Sequence, residues 1–221
     1  FNPDSLLETL DSLIPRLHAA VVGPGFGRSD AGFNAFKAVV NRLKSANLPF
    51  IIDADGLYFV TKDVGLVRNY RSVILTPNAV EFDRLFVAAR CENEQNDEKI
   101  EILCKSLGNV VIVQKGHFDL ISNGDKILRC EEPSSFRRCG GQGDLLSGSL
   151  GTFTHWALDA MKNKDNKSCI LDEYGPFMIA AYGACSLTKQ CNRMAFDKIG
   201  RSCTTEDMIQ CIHSAVKNIF N

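Results

Sequence analysis

The feature that most constrains the fold of this 221-residue chain is a series of short apolar runs that alternate with amphipathic segments. Four runs read as buried strands: "HAAVVG" (18–23), "PFIIDA" (49–54), "SVILTP" (72–77) and "NVVIVQKG" (109–116). Segments of helical period lie between them, most clearly at 30–46 and 97–107. This alternation predicts βαβ units, with a parallel sheet covered by helices on both faces.

The second half of the chain has a different pattern. In "HFDLISNGDKILRCE" (117–131) two strand-like runs flank Asn123-Gly124, which predicts a β-hairpin with a two-residue turn. Three helices follow, near 143–160, 173–191 and 204–218. We therefore predict one α/β domain over residues 1–221, long enough to bury a sizeable core.

Charge and cysteine content exclude several classes of function. Lys and Arg number 25 and Asp and Glu 26, so the net charge of −1 provides no basic surface for nucleic acid or anionic lipid. No apolar run has the length of a membrane span, and the first residues do not resemble a signal peptide. The nine cysteines lack zinc-type spacing and indicate ordinary thiols in a reducing compartment. We expect small-molecule partners, without nucleic acid or membrane.

Each predicted parallel strand ends in chemically distinctive residues, and ligands bind beyond the carboxyl ends of such strands. "VVGPGFGR" (21–28) fails as a dinucleotide fingerprint because Arg28 occupies the place of the third glycine. It is either a tight turn without a ligand or a backbone contact to a substrate. Asp55 either caps the next helix or faces the site. Asp53 could orient a sugar hydroxyl, a metal-bound water or only a loop.

Two further strand ends carry candidate binding residues. In "LTPNAVEFDRL" (75–85), Asn78 and Glu81 have the spacing of a capping box, which structure alone could explain. Phe82 and Arg84 suit the base and phosphate of a nucleotide. Lys115 either meets phosphates or is an ordinary solvated lysine.

The densest motif is "RRCGGQGDLLSG" (137–148), in which a glycine-rich loop becomes a helix. Glycines permit close backbone approach, and the first amides of a helix lack internal partners, so the motif predicts a phosphate-binding site. Asp144 could instead be an acid that neutralises a helix N-terminus. The Walker pattern is absent, so phosphate binding here is not of the P-loop kind.

Taken in order, "VVGPGFGR", "IIDADGL", "LTPNAVEF", "VQKG" and "RRCGGQGDLLSGSLG" resemble the ribokinase-like superfamily, and within it the eukaryotic ATP-dependent NAD(P)H-hydrate dehydratases. The resemblance runs from about residue 17 to the C-terminus. It implies a ribokinase-like three-layer sandwich, with a mostly parallel central sheet flanked by helices and a short β-hairpin near 117–131. It also implies ATP-dependent dehydration of the S forms of NADHX and NADPHX, and ATP chemistry in general implies Mg²⁺ as a further cofactor.

The resemblance assigns roles residue by residue. Asp144 is implied as the general base on the substrate hydroxyl, beside backbone amides that hold the transferring phosphoryl group. The hydrated-nucleotide site is implied to comprise Gly25, Asn78, Ala79, Val80, Glu81, Phe82, Asp83, Arg84 and Asp144. The ATP site is implied to comprise Lys115, Gly116, His117, Phe118, Asp119, Ser134, Ser135, Phe136, Arg137, Arg138, Cys139, Gly140, Gly141, Gln142 and Gly143. The family usually has a charged pair where His117 and Phe118 stand, which weakens the assignment of those two side chains. The metal ligands stay unassigned.

The family also implies functional pairing with an NAD(P)HX epimerase, and it leaves open a homo-oligomer and a cytoplasmic or mitochondrial location. Because the family's domain begins with a further strand and glycine-rich segment, we expect the domain to be N-terminally incomplete here and poorly active alone. Two rival functions remain: a ribokinase-like kinase of a small molecule such as a vitamin precursor, and a catalytically silent nucleotide-binding module.

Overall fold

The computed structural model of the chain describes residues 3–91, 98–163 and 168–220. Its centre is a six-stranded sheet in which the strands follow chain order. The strands are β1 (Ala20–Val22), β2 (Phe50–Ile52), β3 (Val73–Leu75), β4 (Val111–Gln114), β5 (Asp119–Ser122) and β6 (Ile127–Cys130). β1 to β4 are parallel, whereas β5 and β6 pair antiparallel. The four predicted parallel strands are confirmed.

Helices connect and cover these strands. They are α1 (Pro3–Leu13), α2 (Asp30–Ser45), α3 (Asp55–Lys62), α4 (Ala79–Ala88), α5 (Lys99–Ser106), α6 (Gln142–Lys162), α7 (Cys169–Tyr174), α8 (Pro176–Ile199), α9 (Thr205–Gln210) and α10 (Ile212–Phe220). Residue 97, the first of the predicted segment 97–107, lies outside the described residues. No helix in the described ranges is both long and apolar enough to cross a membrane.

The C-terminal helices differ from the three predicted. A helix over 173–191 was expected, but Gly175, with φ of +78°, and Pro176 separate α7 from α8. This break is what glycine and proline together produce, since proline can begin a helix but cannot lie within one. The last predicted helix is also divided, into α9 and α10, at Cys211.

The sheet separates two hydrophobic cores, because neighbouring strand residues point to opposite faces. Phe50 and Ile52 belong to the core under α2 to α5, whereas Ile51 between them belongs to the core under α6 and α8 to α10. All three side chains are buried. The result is the three-layer arrangement expected from the alternating pattern.

The β5–β6 hairpin lies where it was expected, but its turn has four residues (123–126) instead of two, because Ser122 pairs with Ile127. The Asn123 side-chain oxygen accepts the backbone N–H groups of Asp125 and Lys126, both at 3.0 Å. Asn side chains favour such local turns, and this one needs both additional residues to close. The prediction of a two-residue turn was therefore wrong.

Candidate functional site

The ends of β2 and β4 meet at a partly buried ion pair. Asp53 Oδ1 lies 2.8 Å from Lys115 Nζ, although the two residues are 62 positions apart in sequence. The Asp53 side chain is 4% exposed and that of Lys115 is 24% exposed. A Cβ added to Gly143 would lie 3.3 Å from Asp53 Oδ2 and 3.8 Å from Lys115 Nζ. Three separate motifs therefore meet at one point on the edge of the sheet.

The backbone beside this pair is strained. Ala54 has φ of +51° and ψ of −123°, a conformation that residues with a side chain rarely adopt. Asp53 Oδ1 accepts the Ala54 N–H at 2.8 Å and so holds this conformation. Strain of this kind persists only where the surroundings enforce it, and it is concentrated at functional sites.

Asp55 does not cap α3, which was one of the two alternatives for this residue. Its carboxylate instead accepts the Gly27 N–H and pairs with Arg28 Nε, both at 3.0 Å. Asp55 thereby ties the glycine turn after β1 to the start of α3.

Two glycines of that turn, Gly23 and Gly25, differ in the space around them. A Cβ on Gly23 would lie 2.0 Å from the Asp53 carbonyl oxygen, so Gly23 is required by close backbone packing. A Cβ on Gly25 would meet nothing within 4 Å, and Gly25 is exposed. Gly25 is thus the glycine of this pair whose surface is open to a ligand.

The start of α4 confirms the capping box. Asn78 Oδ1 accepts the Glu81 N–H at 3.0 Å, and Glu81 Oε2 accepts the Asn78 N–H at 2.8 Å. Phe82 is 1% exposed and packs in the core beside Phe86, so its ring does not face a nucleotide base as the pairing of Phe82 with Arg84 in the sequence had suggested. The cause is helical period, which turns position 82 towards the sheet.

Two of the exposed residues of the same helix line a separate groove. Ala79, Val80, Asp83 and Arg84 are exposed. Asp83 and Arg84 line a surface groove of about 610 Å³ together with Arg28 and Tyr58. Neither Asp144 nor the glycines before it line this groove, so the structure does not bring the two sets of predicted residues into one cavity.

The glycine loop lies where α6 begins. Gly141, with φ of +89°, directly precedes the helix, and a Cβ there would meet Thr205 at 3.3 Å. Thr205 Oγ1 also donates to the Gly140 carbonyl oxygen at 2.5 Å. The first amides of α6 have no partner within the helix, so the loop presents N–H groups at a helix N-terminus.

Asp144 lies in the first turn of α6 and is exposed. Its side chain opens onto a mostly apolar groove of about 630 Å³ that extends along α6 to Trp156. Asp144 thus differs from Asp53: one carboxylate is exposed beside the loop, whereas the other is buried and paired. An exposed carboxylate next to helix N-terminal amides can take a proton from a group held by those amides.

Two polar residues of α8 hold the loops of the predicted ATP site. The buried Lys189 donates to the His117 carbonyl oxygen at 2.9 Å and lies 3.4 Å from Asp119 Oδ2. The buried Asn192 accepts the Ser135 N–H at 2.8 Å and donates to the Arg137 carbonyl oxygen at 2.9 Å. Since residues three apart share a helix face, one face of α8 positions both loops.

The resemblance places Asp119 in the ATP site, but both oxygens of its carboxylate interact with other residues of the protein. Its Oδ1 accepts the Gly116 N–H at 2.9 Å, Oδ2 faces Lys189, and the side chain is 10% exposed. These contacts give Asp119 a structural role in shaping the turn after Lys115.

The helix that carries Thr205 has its own cap. Thr204 donates from its N–H and from its hydroxyl to Asp207 Oδ2, both at 2.8 Å. These hydrogen bonds, the backbone one first, lower the pKa of the Asp207 carboxyl group. The charged form of Asp207 therefore stabilises the start of α9, next to the residue that supports Gly140.

Lys189, Asn192 and Thr205 were not identified from the sequence. Lys189 and Asn192 occur among the buried residues of α8, such as Cys185 and Ala195. Polar residues on an apolar helical stripe are buried only when they have partners, so this interruption was the available signal. Thr205 carried no such signal, because its partner is a loop 65 residues away.

A family model described as NAD(P)H-hydrate dehydratase matches residues 4–213. The ATP-dependent (S)-NAD(P)H-hydrate dehydratase of Mus musculus is 48% identical over 222 residues, covering 99% of this chain and 63% of that protein. The protein of the same name from Homo sapiens is 46% identical, covering 99% of this chain and 62% of its own length. The chain thus spans less than two thirds of these curated relatives.

Solved structures share the fold at low sequence identity. A hypothetical protein of Streptococcus mutans superposes with a TM-score of 0.71 at 20% identity, covering 97% of this chain and 70% of that one. A ribokinase-like superfamily protein of Enterococcus faecalis gives 0.69 at 18%, covering 96% and 67%. An ADP/ATP-dependent NAD(P)H-hydrate dehydratase of Bacillus subtilis, co-crystallised with ATP and Mg²⁺, gives 0.58 at 21%, covering 91% and 64%. The predicted ribokinase-like fold is confirmed.

Proposed function

The chain belongs to the NAD(P)H-hydrate dehydratase family, and from that membership we propose that it catalyses the ATP-dependent dehydration of (S)-NADHX and (S)-NADPHX. The γ-phosphoryl group of ATP passes to the C6 hydroxyl of the hydrated ring. Phosphate then leaves, the ring double bond re-forms, and the products are NADH or NADPH, ADP and inorganic phosphate. The reaction repairs a damaged cofactor.

The observation that carries the proposal is the meeting of three sequence motifs at the start of α6. The Asp53–Lys115 pair lies against Gly143, and Asp144 is the next residue. A partly buried cation, helix N-terminal amides and an exposed carboxylate are the groups that phosphoryl transfer to a hydroxyl needs. Their adjacency supports this reaction over simple nucleotide binding.

Each group has a role that follows from its surroundings. The amides at the start of α6 bind the transferring phosphoryl group, and Lys115, oriented by Asp53, adds positive charge beside Gly143. Asp144 accepts the proton of the attacking hydroxyl, because its carboxylate is exposed next to those amides. Phosphorylation then makes the C6 oxygen a good leaving group.

Magnesium fits this site in the form usual for nucleotides. No group of three or more His, Cys, Asp or Glu side chains in the described part of the chain could hold a metal ion. Mg²⁺ commonly needs only one or two carboxylates besides phosphate oxygens and water, so a cluster of three such side chains is not required for an ion that the nucleotide itself would help to hold. The ion would neutralise charge on the phosphates.

The predicted substrate residues need a finer assignment. Gly25 has open space, and Ala79, Val80, Asp83 and Arg84 are exposed, so these can contact a hydrated nucleotide. Asn78 and Glu81 are engaged in the capping box, and Phe82 acts through the core. We assign the last three to shaping the helix that presents the others.

The proposal also covers the cellular compartment, the partner enzyme and the assembly of the protein. The nine cysteines are all unpaired, which supports a reducing compartment such as the cytoplasm or the mitochondrial matrix. Since the family acts on the S form, an epimerase that interconverts S and R forms would be its functional partner. Assembly as a homo-oligomer remains part of the family expectation.

The test is a coupled assay of hydrated NADH with ATP or ADP on the product of the complete reading frame. Absorbance of the dihydronicotinamide and release of inorganic phosphate are followed together. We expect both to rise in a one-to-one ratio, and both rates to fall about 10²- to 10⁴-fold in the Asp144→Asn variant. A stable phosphorylated alcohol without NADH would indicate a small-molecule kinase, and nucleotide binding without turnover would indicate a silent binding module.

A further inference from the structure

The backbone at the start of α6 carries hydrogen-bond donors that the protein itself does not use. Within the described part of the chain, no acceptor binds the N–H groups of Gly141, Gln142, Gly143 and Asp144. The next residue, Leu145, donates to the Gly141 carbonyl oxygen at 3.0 Å and begins the helical pattern. Glycine restricts φ and ψ very little, so the glycine-rich sequence alone does not fix the direction of these N–H groups. A contact from another element has to fix it.

The side chain of Thr205, at the start of α9, makes that contact. Its hydroxyl donates to the Gly140 carbonyl oxygen at 2.5 Å, across a separation of 65 residues. In a planar trans peptide, the carbonyl group and the N–H group of the following residue point in opposite directions. The bond that draws the Gly140 carbonyl towards α9 therefore turns the Gly141 N–H away from α9. Thr205 thus sets the direction of the first of the unused donors.

Thr205 also packs against the glycine that follows. Gly141 has φ of +89°, and a Cβ there would lie 3.3 Å from the Cβ, Cγ2 and Oγ1 atoms of Thr205. The side chain of Thr205 therefore fills the space beside Gly141 on which a Cβ would project. Because threonine is branched at Cβ, its side chain is stiff and can hold the hydroxyl and the methyl group in place together. One polar and one apolar contact restrain the two glycines.

The position of Thr205 is itself fixed by the core. Cys203 before it and Met208 after it are both fully buried in the core under α6 and α8 to α10. Between them, Asp207 accepts the N–H and the hydroxyl of Thr204, which fixes the first turn of α9. The glycine loop is thus tied through one hydroxyl group to a rigid part of the molecule.

We propose that Thr205 is a positioning residue for phosphoryl transfer. Its hydroxyl fixes the Gly140–Gly141 peptide so that the N–H groups at the start of α6 point at the transferring phosphoryl group. The inference rests on the proposed function, since those amides act in that reaction. Thr205 acts through Gly140 and not by contact with the reacting atoms. Donors that are fixed in advance stabilise the charge of the transition state without reorganising, so the loss should appear mainly in kcat.

The first test compares two substitutions of Thr205 in the product of the complete reading frame, assayed with ATP and hydrated NADH. Thr205→Val keeps the shape of the side chain but removes the hydroxyl, and its kcat should fall about 10- to 100-fold, with KM for hydrated NADH within about threefold of the wild type. Thr205→Ser keeps the hydroxyl, and its kcat should stay within about threefold.

Thr9→Val is the matched control, because it removes a threonine hydroxyl that only binds the Ser5 carbonyl oxygen within α1. Its kcat should equal that of the wild type. Equal kcat values in Thr205→Val and Thr205→Ser would overturn the proposal. A rise in KM without a fall in kcat would also overturn it, because Thr205 would then serve substrate binding alone.

The second test needs no turnover. Nuclear magnetic relaxation of amide nitrogens in glycine-labelled protein measures how rigidly the Gly141 N–H is held. Its order parameter should be about 0.85 in the wild type and in Thr205→Ser, and should fall towards about 0.6 in Thr205→Val. Gly148, inside α6, should be equally rigid in all three proteins. A rigid Gly141 in Thr205→Val would overturn the proposal, whereas a wild-type protein that does not repair hydrated NADH would contradict the proposed function separately.

Discussion

At the scale of single residues, two carboxylates near the same glycine are assigned different tasks by their surroundings. Asp53 is buried and paired with Lys115, so its negative charge is balanced by a positive charge within the protein. Asp144 is exposed in the first turn of α6, where a substrate hydroxyl could reach it. Environment, and not residue type, therefore separates the positioning acid from the proposed base.

Replacing Asp144 tests this separation. Asp144→Asn keeps the size of the side chain but removes the proton acceptor, so turnover should fall by about 10²- to 10⁴-fold. ATP affinity should stay within about threefold, because the helix amides are unchanged. Steady-state assays with hydrated NADH and calorimetry with ATP measure the two effects. Asp159→Asn, on an exposed part of the same helix, is the matched control, and turnover near the wild-type value in Asp144→Asn would contradict the assignment.

Gly143 tests the contact between the glycine loop and the ion pair. In Gly143→Ala the new Cβ would lie 3.3 Å from Asp53 Oδ2, a tight contact that displaces the Asp53–Lys115 pair. ATP affinity should fall about tenfold, equivalent to about 1.4 kcal/mol, while the fold persists. Gly148→Ala is the control on the same helix, since a Cβ there meets nothing within 4 Å. Equal ATP affinity in the two variants would place the phosphate site elsewhere.

At the scale of elements, α8 is the helix that joins the two loops of the ATP site. It carries Lys189 and Asn192 on one face, packs against α6, and contributes small residues such as Ala181, Ala184 and Cys185 to the core that the two helices share. A helix is rigid over its length, so two loops bound to one helix face keep their separation. This is a physical reason for buried polar residues in an otherwise apolar stripe.

Lys189→Met measures the contribution of this helix. It leaves Asp119 buried without its cation, so the free energy of unfolding should fall by about 3–5 kcal/mol. The double variant Lys189→Met with Asp119→Asn should recover much of that stability. Its affinity for ATP should nevertheless stay about tenfold below that of the wild type, because the His117 carbonyl oxygen has lost its donor. Urea denaturation and calorimetry give the two quantities.

The control for this experiment is Lys198→Met, which removes an exposed lysine near the end of the same helix. Its effect on stability should be within about 0.5 kcal/mol. If the double variant regained both stability and ATP affinity, Lys189 would serve the fold alone and not the position of the loop.

At the scale of the whole molecule, the two cores contain most of the thiols. Six of the nine cysteines are buried: Cys104, Cys130, Cys185, Cys191, Cys203 and Cys211. Burial raises the pKa of Cys104 and of Cys191 to about 12 in each case. Such thiols are small packing groups with little thiolate at neutral pH.

No three His, Cys, Asp or Glu side chains form a metal cluster in the ranges that the structure covers.

Native alkylation tests this packing. At pH 8 a thiol with a pKa of about 12 is ionised in only about one molecule in 10⁴, so Cys104 and Cys191 should resist iodoacetamide in the folded protein. The exposed Cys169 should react first. Mass spectrometry of peptides from native and urea-unfolded samples compares the sites. Reaction of Cys104 as fast as that of Cys169 in the native protein would show that the core opens readily.

The sequence by itself determined the layered fold and the positions of its chemical motifs. Apolar runs of strand length alternate with helical periods, and these local patterns predict parallel strands and the covering helices before any contact is known. The capping box at Asn78 is also local, because its two partners lie three residues apart. Asp144 was identified at a loop-to-helix boundary for the same reason.

Only the tertiary structure decided which side chains of those motifs face a ligand. The side chain of Phe82 is buried in the core. Asp119 forms an ion pair with Lys189, which lies 70 residues away and which no local pattern indicates as its partner. The Asp53–Lys115 pair and the parallel rings of His117 and Phe136 likewise join distant segments. The physical reason is that hydrogen-bond and helix periods act over a few residues, whereas burial and pairing depend on which surfaces the sheet and α8 bring together.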